Sequence, residues 1–257
     1  MKHTLLAVLM SALTSGLLMS ASYAAPATPF TPEALAQEMA KLPVGNAAKG
    51  KEAHTQLMCN GCHGPEGIAM MGDFPHVSGQ PAKVTAKSLL DYRAGRRATG
   101  GQAPMMAGMA GRLTDQNIAD LAAYYETLAG GKGVEAKKDD KAKDANAPAT
   151  ISKDALHRLI TKGDASRGIT PCAACHGTKA RGNPNGEVPV LQGQNPAYLK
   201  ATLKAYRAGD RHSDLLKEMR YFAKALTDEE IEALGNYYGE KKGRKGDAPQ
   251  APKSDKP

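Results

Sequence analysis

All four cysteines of this 257-residue chain lie in two short stretches, CNGCH at residues 59–63 and CAACH at residues 172–176. In each stretch two residues separate the cysteines, and a histidine follows the second cysteine directly. Thiols at this spacing lie on one turn of a helix, with the imidazole beside them. Each stretch therefore offers two thiols and one metal-binding nitrogen as a single chemical unit.

The sequence that follows the two stretches repeats as well. One segment reads SGQPAKVTAKSLLDYRAGRR at 78–97 and returns as QGQNPAYLKATLKAYRAGDR at 192–211, offset by 114 positions. Another reads RLTDQNIADLAAYYETL at 112–128 and returns as ALTDEEIEALGNYYGEK at 225–241, offset by 113 positions. Matching features in the same order and at the same spacing indicate two copies of one domain.

The ends of the chain differ in composition from the repeated part. Residues 1–24 combine Lys2, an apolar run and small residues near position 24, which is typical of a secretory signal peptide cleaved after Ala24. A retained membrane anchor is the alternative, but the cleavage site and the interrupting Ser and Thr residues favour export to the periplasm. The predicted divisions are then domain 1 at 25–130, a charged linker at 131–150, domain 2 at 151–241 and a basic disordered tail at 242–257.

Much of the formal net charge of +8 lies outside the predicted domains. Residues 241–257 hold six Lys or Arg against two Asp and contribute +4, while the linker contributes +1 with five Lys against four acidic residues. A basic tail of this composition is usually solvated. The distribution argues against a nucleic-acid-binding surface on the folded parts, and we expect no nucleic-acid partner.

The hydrophobic periodicity of both copies is helical. The Thr31-Pro32 pair predicts a helix start, and Thr114 predicts another as its N-cap. Further helices are predicted over residues 47–58, 83–93 and 115–128. Since no alternating strand pattern of convincing length appears, the predicted fold class is all-α.

The segments between these helices are long. Residues 64–82 and 95–113 show little regular pattern, and the same holds for residues 177–195 and 209–225. Loops of this length in a domain of about 100 residues are uncommon unless something orders them. A large apolar cofactor at the centre of each domain is an arrangement that orders such loops and enlarges a small core.

A haem group accounts for every side chain of the two stretches. Its two vinyl groups each take up one thiol as a thioether, and its iron accepts the next imidazole as an axial ligand. We therefore predict two covalently bound haem c groups. The attaching residues are Cys59, Cys62, Cys172 and Cys175, and the axial ligands are His63 and His176. A zinc site would draw on cysteines some 110 positions apart, and a thioredoxin-like pair lacks its βαβ context.

The repeat also predicts the second axial ligand of each iron. Exported electron-transfer haem proteins commonly use methionine, whose soft thioether favours Fe(II). Domain 2 has one methionine after its stretch, Met219, which lies 43 residues beyond His176. Domain 1 has methionines at 105, 106 and 109, and only Met106 lies at the same distance from His63. We expect the other two to pack on the haem or fill the loop.

Two prolines and several further histidines complete the candidates. Pro75 and Pro189 follow the axial histidines by 12 and 13 residues, and their carbonyls are candidate partners for the other imidazole N–H. Their spacing alone is equally compatible with plain loop prolines. His54 and His157 are expected at the surface. His212 competes with Met219 as a ligand, although domain 1 has no histidine at the matching position.

These features together resemble the dihaem cytochromes c4 over residues 45–241. The resemblance rests on the paired CxxCH stretches, each with a GQ loop, a YRAG helix end, a methionine and a final LTDxxI…YY helix. It implies two tandem class I cytochrome c-like domains, each wrapped around a covalently attached haem. The implied axial pairs are His63 with Met106 and His176 with Met219, and the implied carbonyl partners are Pro75 and Pro189. It also implies domains packed around a pseudo-twofold axis with the haem edges close together.

The expected function is electron transfer rather than catalysis, because six-coordinate iron has no open position for a substrate. The resemblance implies a periplasmic shuttle between respiratory-chain or dehydrogenase donors and an oxidase-type acceptor. The expected partners are redox proteins, with no small-molecule substrate. One alternative is a dedicated electron-transfer subunit of a periplasmic dehydrogenase complex. A dihaem peroxidase, which needs one haem with an open or displaceable ligand, is the other.

Overall fold

The computed structural model describes residues 28–70, 72–130 and 151–241. The predicted signal peptide, linker and basic tail lie outside these ranges. Within them the chain is helical and forms no β-strand, and an isolated bridge pairs Asp164 with Ile169. None of the helices in these ranges is both long and apolar enough to cross a membrane.

The apolar core of domain 1 forms where three of its helices pack together. Its helices are α1 (Pro32–Ala40), α2 (Ala47–Gln56), α3 (Asn60–His63), α4 (Ala82–Arg93), α5 (Ala103–Ala110) and α6 (Asp115–Thr127). Helices α2 and α4 lie against α6, whose Ile118 and Leu121 are almost completely buried. The side chain of Thr114 accepts from the Asn117 N–H, and Asn117 returns the bond, so α6 begins with a capping box.

Domain 2 repeats this plan with a different approach to its CxxCH stretch. Its helices are α7 (Lys153–Lys162), α8 (Cys172–His176), α9 (Pro196–Ala208), α10 (Glu218–Lys224) and α11 (Asp228–Glu240), with short 3₁₀ turns at Ala165–Arg167 and Leu215–Lys217. Helix α11 packs on α9 and begins with the capping box of Thr227 and Glu230. Ile231 and Leu234 of α11 lie in the buried core.

Most of the predicted helices are confirmed, and two were missed. Residues 95–113 and 209–225 were expected to be irregular, but they contain α5 and α10. That prediction was wrong because both helices are short and begin unusually. Helix α5 begins without a side-chain hydrogen bond from its N-cap residue, and α10 follows Leu216 and Lys217, which both have positive φ.

The two copies share one loop in detail, here called the proline loop, at residues 75–80 in domain 1 and 189–194 in domain 2. The N–H of Gly79 donates to the Tyr125 carbonyl at 2.8 Å, and the N–H of Gly193 donates to the Tyr238 carbonyl at 2.9 Å. Both glycines have φ near +70°, a conformation that favours glycine. Each proline loop is therefore tied to the last helix of its own domain.

Residues before α2 extend domain 1 toward domain 2. Phe30 is buried against the domain 1 core, and the Arg96 guanidinium lies 3.7 Å from the centre of its ring. Arg96 Nε also donates to the Thr28 carbonyl at 3.0 Å. Leu215 of domain 2 packs on the same core, so this extension lies where the two domains meet.

The two domains contact each other directly. Arg97 Nη2 donates to the Tyr198 hydroxyl at 3.0 Å, and the Thr99 hydroxyl donates to the Asp210 carbonyl. At the exposed rim, Lys83 Nζ lies 3.1 Å from a carboxylate oxygen of Glu187. The proline loops contribute further hydrogen bonds between the two domains.

Candidate functional site

Each CxxCH stretch forms a short helix that presents its histidine inward. Helix α3 spans Asn60–His63 directly after Cys59, and helix α8 spans Cys172–His176. Both helices end at glycines with positive φ, which lets the chain turn away directly after the histidine. All four cysteines are free thiols. The structure therefore keeps one complete set of two thiols and one imidazole in each domain.

The first thiol of each pair lies beside a buried tyrosine from the last helix. Burial raises the pKa of the Cys59 thiol, although a hydrogen bond with Tyr125 opposes this. Burial likewise raises the pKa of the Cys172 thiol against a hydrogen bond with Tyr238. Both sulfurs therefore remain neutral thiols, and a neutral thiol supplies both the sulfur and the hydrogen that add across a vinyl group.

The two axial candidates have the same hydrogen bond in both copies. His63 Nδ1 lies 2.9 Å from the Pro75 carbonyl oxygen, and His176 Nδ1 lies 3.0 Å from the Pro189 carbonyl oxygen. A carbonyl only accepts, so Nδ1 carries the proton in both rings. The tautomer is thereby fixed, and Nε2 is left with the lone pair that binds a metal.

Burial favours the neutral form of both imidazoles. Each ring is only 9% exposed. Burial lowers the pKa of His63 and of His176, and the proline carbonyls oppose this lowering only in part. Neutral imidazole is the form that coordinates iron, so the environment favours ligation before any metal binds.

The structure places both Met106 and Met219 on short helices, as the fourth residue of α5 and the second residue of α10. Met106 lies on α5 and is half-buried against the domain 1 core, and Met219 lies half-buried on α10. Met105 and Met109, by contrast, are 54% and 39% exposed. Among the three methionines of α5, the one at the repeat spacing is thus the least exposed, which fits its choice as the ligand candidate.

His54 is not at the surface, and that prediction was wrong. The ring is 1% exposed and lies between the Gly64 carbonyl and the Tyr125 hydroxyl, each 2.8 Å away. Since Gly64 accepts from Nε2, the Nδ1 atom accepts from the tyrosine. The only signal for this was the small-residue face of α2, where Gly50 and Ala53 are also buried. His157 is exposed as predicted.

Two other histidines are engaged with the backbone. His76 is buried, and its Nδ1 accepts from the Ala69 N–H at 3.0 Å. His212 is half-buried, and its Nδ1 lies 3.3 Å from the Asp210 carbonyl. Neither has a histidine at the equivalent position of the other domain, so the histidines that match between the two copies are those of the CxxCH stretches.

Two arginines at the domain interface place positive charge among tyrosine side chains. Arg97 and Arg211 lie over the rings of Tyr92 and Tyr206 at 4.5 and 4.6 Å. Burial opposes ionisation of Tyr198, but the two guanidinium groups outweigh it and lower the pKa of Tyr198 to about 7. Within the described ranges, Arg211 Nε has no hydrogen-bond partner. A carboxylate is the group that would satisfy it, and haem carries two.

The residues present fit a covalently attached haem in each domain. Each copy supplies two free thiols on one turn, an imidazole with its metal-binding nitrogen free, and a half-buried thioether on a separate short helix. Fold and site together define a protein with two tandem domains for c-type haem attachment.

Comparisons with known proteins agree with this class. A family model described as cytochrome c matches residues 47–129 and 160–238. Cytochrome c4 of Thiocapsa roseopersicina is 34% identical over 196 residues, which are 76% of this chain and 92% of that protein. The thiosulfate dehydrogenase electron acceptor of Stutzerimonas stutzeri (strain A1501) is 30% identical over 200 residues, covering 75% and 86%. The crystal structure of reduced recombinant cytochrome c4 from Pseudomonas stutzeri aligns with a TM-score of 0.61 at 28% identity, covering 76% and 98%.

The chain belongs to the cytochrome c family, and within it to the cytochrome c4-like proteins. The resemblance stated from sequence and the all-α tandem fold are thereby confirmed. Two cytochrome c domains, each with one CxxCH stretch, carry two covalently bound haem c groups.

Proposed function

We propose that this protein is a periplasmic electron carrier whose two haems are each held between a histidine and a methionine. The proposed axial pairs are His63 with Met106 and His176 with Met219. The observation that carries the proposal is the duplicated Nδ1–carbonyl hydrogen bond, at 2.9 Å and 3.0 Å. It leaves the same metal-binding nitrogen free in both domains, and each domain has one half-buried methionine at the same spacing.

When bound, each haem supplies one electron by cycling its iron between Fe(II) and Fe(III). The chain's part is to hold the iron in a site that changes little between these states. The buried, neutral imidazole accepts no proton, and the proline carbonyl fixes its orientation. The methionine thioether of each pair, as the second iron ligand, would favour Fe(II) and raise the reduction potential. An iron held by both side chains would have no open position, so substrate chemistry and peroxidase activity are not expected.

The donor and acceptor are proposed to be redox proteins. The first candidate is a shuttle between respiratory-chain or dehydrogenase donors and an oxidase-type acceptor. The second is the dedicated electron acceptor of one dehydrogenase, and a specific observation favours it. One relative that aligns over most of this chain is named a thiosulfate dehydrogenase electron acceptor. Both candidates place the protein in the periplasm, after cleavage of the predicted signal peptide behind Ala24.

The ligand proposal is tested by two single substitutions. Met106→Ala and Met219→Ala should each abolish the methionine-to-ferric-iron absorption band of one haem and leave that of the other haem. Met105→Ala and Met109→Ala are matched controls on the same helix, and both should keep the full band. If either proposed ligand variant keeps the full band, the ligand assignment is wrong.

The choice between the two partner candidates is tested by reduction kinetics. The oxidised holoprotein is mixed with a purified thiosulfate dehydrogenase and thiosulfate, and haem reduction is followed optically. Rapid and complete reduction supports the dedicated acceptor. Reduction no faster than with an unrelated dehydrogenase supports the general shuttle. N-terminal sequencing of the protein from a periplasmic fraction tests export, and Ala25 is the first residue expected.

A further inference from the structure

The two proline loops exchange hydrogen bonds across the domain interface. Gln80 of domain 1 reaches the backbone of Val190 in domain 2, where its Nε2 donates to the Val190 carbonyl at 2.9 Å. The Val190 N–H donates back to Gln80 Oε1 at 3.1 Å. One side-chain amide thus satisfies both backbone groups of a single residue in the other domain.

The reverse exchange is also present. Gln194 of domain 2 donates from Nε2 to the His76 carbonyl at 2.8 Å and accepts from the His76 N–H at 2.7 Å. Gln194 is 5% exposed and His76 is 7% exposed. The two glutamines are 114 positions apart, and so are the two residues that they bind. The arrangement is therefore reciprocal between the copies.

Each of these exchanges ends on the peptide group that binds an axial histidine. The Pro189 carbonyl and the Val190 N–H belong to one planar peptide unit. Its oxygen accepts from His176, and its N–H donates to Gln80 of the other domain. In domain 1, the peptide unit between Pro75 and His76 joins His63 to Gln194 in the same way.

Hydrogen bonds at the two ends of one peptide unit reinforce each other. An acceptor on the N–H polarises the unit and makes its carbonyl a better acceptor. A stronger carbonyl acceptor draws the Nδ1 proton away from the axial imidazole and makes that ring a more basic ligand. A more basic imidazole stabilises Fe(III) and lowers the reduction potential.

We propose that Gln80 and Gln194 are positioning residues that set the potential of the haem in the opposite domain. Gln80 acts on the haem held by His176, and Gln194 acts on the haem held by His63. This inference rests on the proposed function, because it takes the two histidines as axial ligands. It adds a crossed coupling, in which each haem is tuned by a side chain from the domain that does not hold it.

The test uses Gln80→Leu and Gln194→Leu in the full holoprotein. Each leucine keeps the approximate size but removes the acceptor on the peptide N–H. Gln80→Leu should raise the potential of the haem at His176, and Gln194→Leu should raise that of the haem at His63. The expected change in the Fe(III)/Fe(II) equilibrium of the affected haem is about twofold to fivefold, or about 20 to 40 mV at about 59 mV per tenfold.

Potentials are read from an optical redox titration, and the haems are assigned by the NMR signals of the axial imidazole rings. The Nδ1 proton signal of the affected histidine should move in the same crossed pattern, which a general loss of packing does not produce. Lys83→Ala removes an exposed contact between the same domains and should leave both potentials unchanged. Gln80→Asn, with a shorter side chain, repeats the test with the same sign if the leucine variant does not fold.

The crossed pattern is the result that supports the inference. A shift in the haem of the substituted domain, equal shifts in both haems, or no shift in either would each overturn it. The wild-type titration separates this inference from the proposed function. A wild-type protein without two methionine-ligated haems contradicts the proposed function. If the wild type has both haems but neither glutamine variant shifts the potential of the haem in the opposite domain, only the coupling is contradicted.

Discussion

The two domains hold their axial histidines in the same way but anchor the segment before the cysteines differently. In domain 1, the N–H of Asn46 donates to the buried carboxylate of Asp120 at 2.7 Å, and His54 binds the Tyr125 hydroxyl. In domain 2, Arg167 forms two hydrogen bonds with Glu230, at 2.7 and 2.9 Å. The first anchor is built on a ten-residue helix, and the second on a three-residue turn.

The comparison distinguishes the features that both haem sites share from the anchors, which differ between the two domains. The proline loop and the tyrosine beside the first thiol are the same in both copies, because they touch the groups that hold the haem. The anchors fix the leading segment to the last helix, and they differ although His54 of the domain 1 anchor also binds Gly64 and Tyr125, which adjoin the groups that hold the haem. More than one arrangement is therefore compatible with a haem site at this place. We therefore expect substitutions in the shared parts to have different effects on haem content and stability from substitutions in the anchors.

The largest effect is expected from the shared thiols. The double variant Cys59→Ser/Cys62→Ser should lower the covalent haem content from two per chain to one, and Cys172→Ser/Cys175→Ser should do the same. Without thiols, the vinyl groups have nothing to bind. The measurement is a pyridine haemochrome assay against protein concentration. If either double variant retains two haems c, the attachment sites are wrong.

A smaller effect is expected at the tyrosines, where the two domains differ. Tyr125→Phe leaves buried His54 without its hydroxyl donor, which should cost about 1 to 3 kcal/mol in the free energy of unfolding. Tyr238→Phe should cost less, because no histidine in the described part of the chain binds the Tyr238 hydroxyl. Guanidinium denaturation of both holoprotein variants measures this. Equal losses would show that His54 contributes nothing to the difference.

The domain 2 anchor should make stability depend on pH. Burial raises the pKa of Glu230, but hydrogen bonds from Arg167 and the Thr227 N–H outweigh it and hold the pKa below the ordinary value of 4.5. A carboxyl with a lowered folded-state pKa stabilises the protein above its unfolded pKa, and this contribution is lost as the pH falls through the folded pKa. Arg167→Ala should therefore lower the free energy of unfolding by about 1 to 2 kcal/mol at neutral pH. The variant should also lose less stability than the wild type when the pH is lowered.

Denaturation midpoints between about pH 6 and about pH 3 test this dependence. Lys204→Ala is the control, since Lys204 is exposed and its partner Glu232 also binds Lys200. It should change stability by less than about 0.5 kcal/mol. A variant at Arg167 that shows the full acid dependence of the wild type would contradict the role given to this pair.

The smallest difference between the domains is expected at the helix caps. Thr114→Ala and Thr227→Ala each remove the side-chain oxygen that accepts from the third residue of the last helix. Each should cost about 1 kcal/mol. Urea denaturation of the two variants should give similar losses, because the capping box is common to both domains. A clear inequality would mean that the last helices contribute unequally to the two folds.

The parts of the site that could be predicted are those whose chemistry imposes a spacing. Two vinyl groups require two thiols on one turn, so the CxxCH stretches predict the cofactor at once. The repeat also selects Met106 as the ligand candidate, because the second copy has one methionine after its stretch, and this choice stays a prediction. Helix starts at Thr31 and Thr114 were predictable because capping is local.

The parts that were missed depend on contacts between distant residues. His54 is buried because α2 packs closely on α6, and this packing leaves only a face of small residues as a signal. Helices α5 and α10 are too short for periodicity to reveal. The amides of Gln80 and Gln194 meet backbone atoms 110 and 118 positions away, and the repeated GQ pair gives no indication that its target lies in the other domain.

The common spacing of histidine and methionine has a consequence for how the protein matures. All side chains proposed to hold one haem lie between residues 59 and 106, and those for the other lie between 172 and 219. A chain that is exported from its N-terminus can therefore complete the first haem centre before the second CxxCH stretch has emerged. The glutamine exchange needs both proline loops, so it can form only once residues 189–194 have emerged as well.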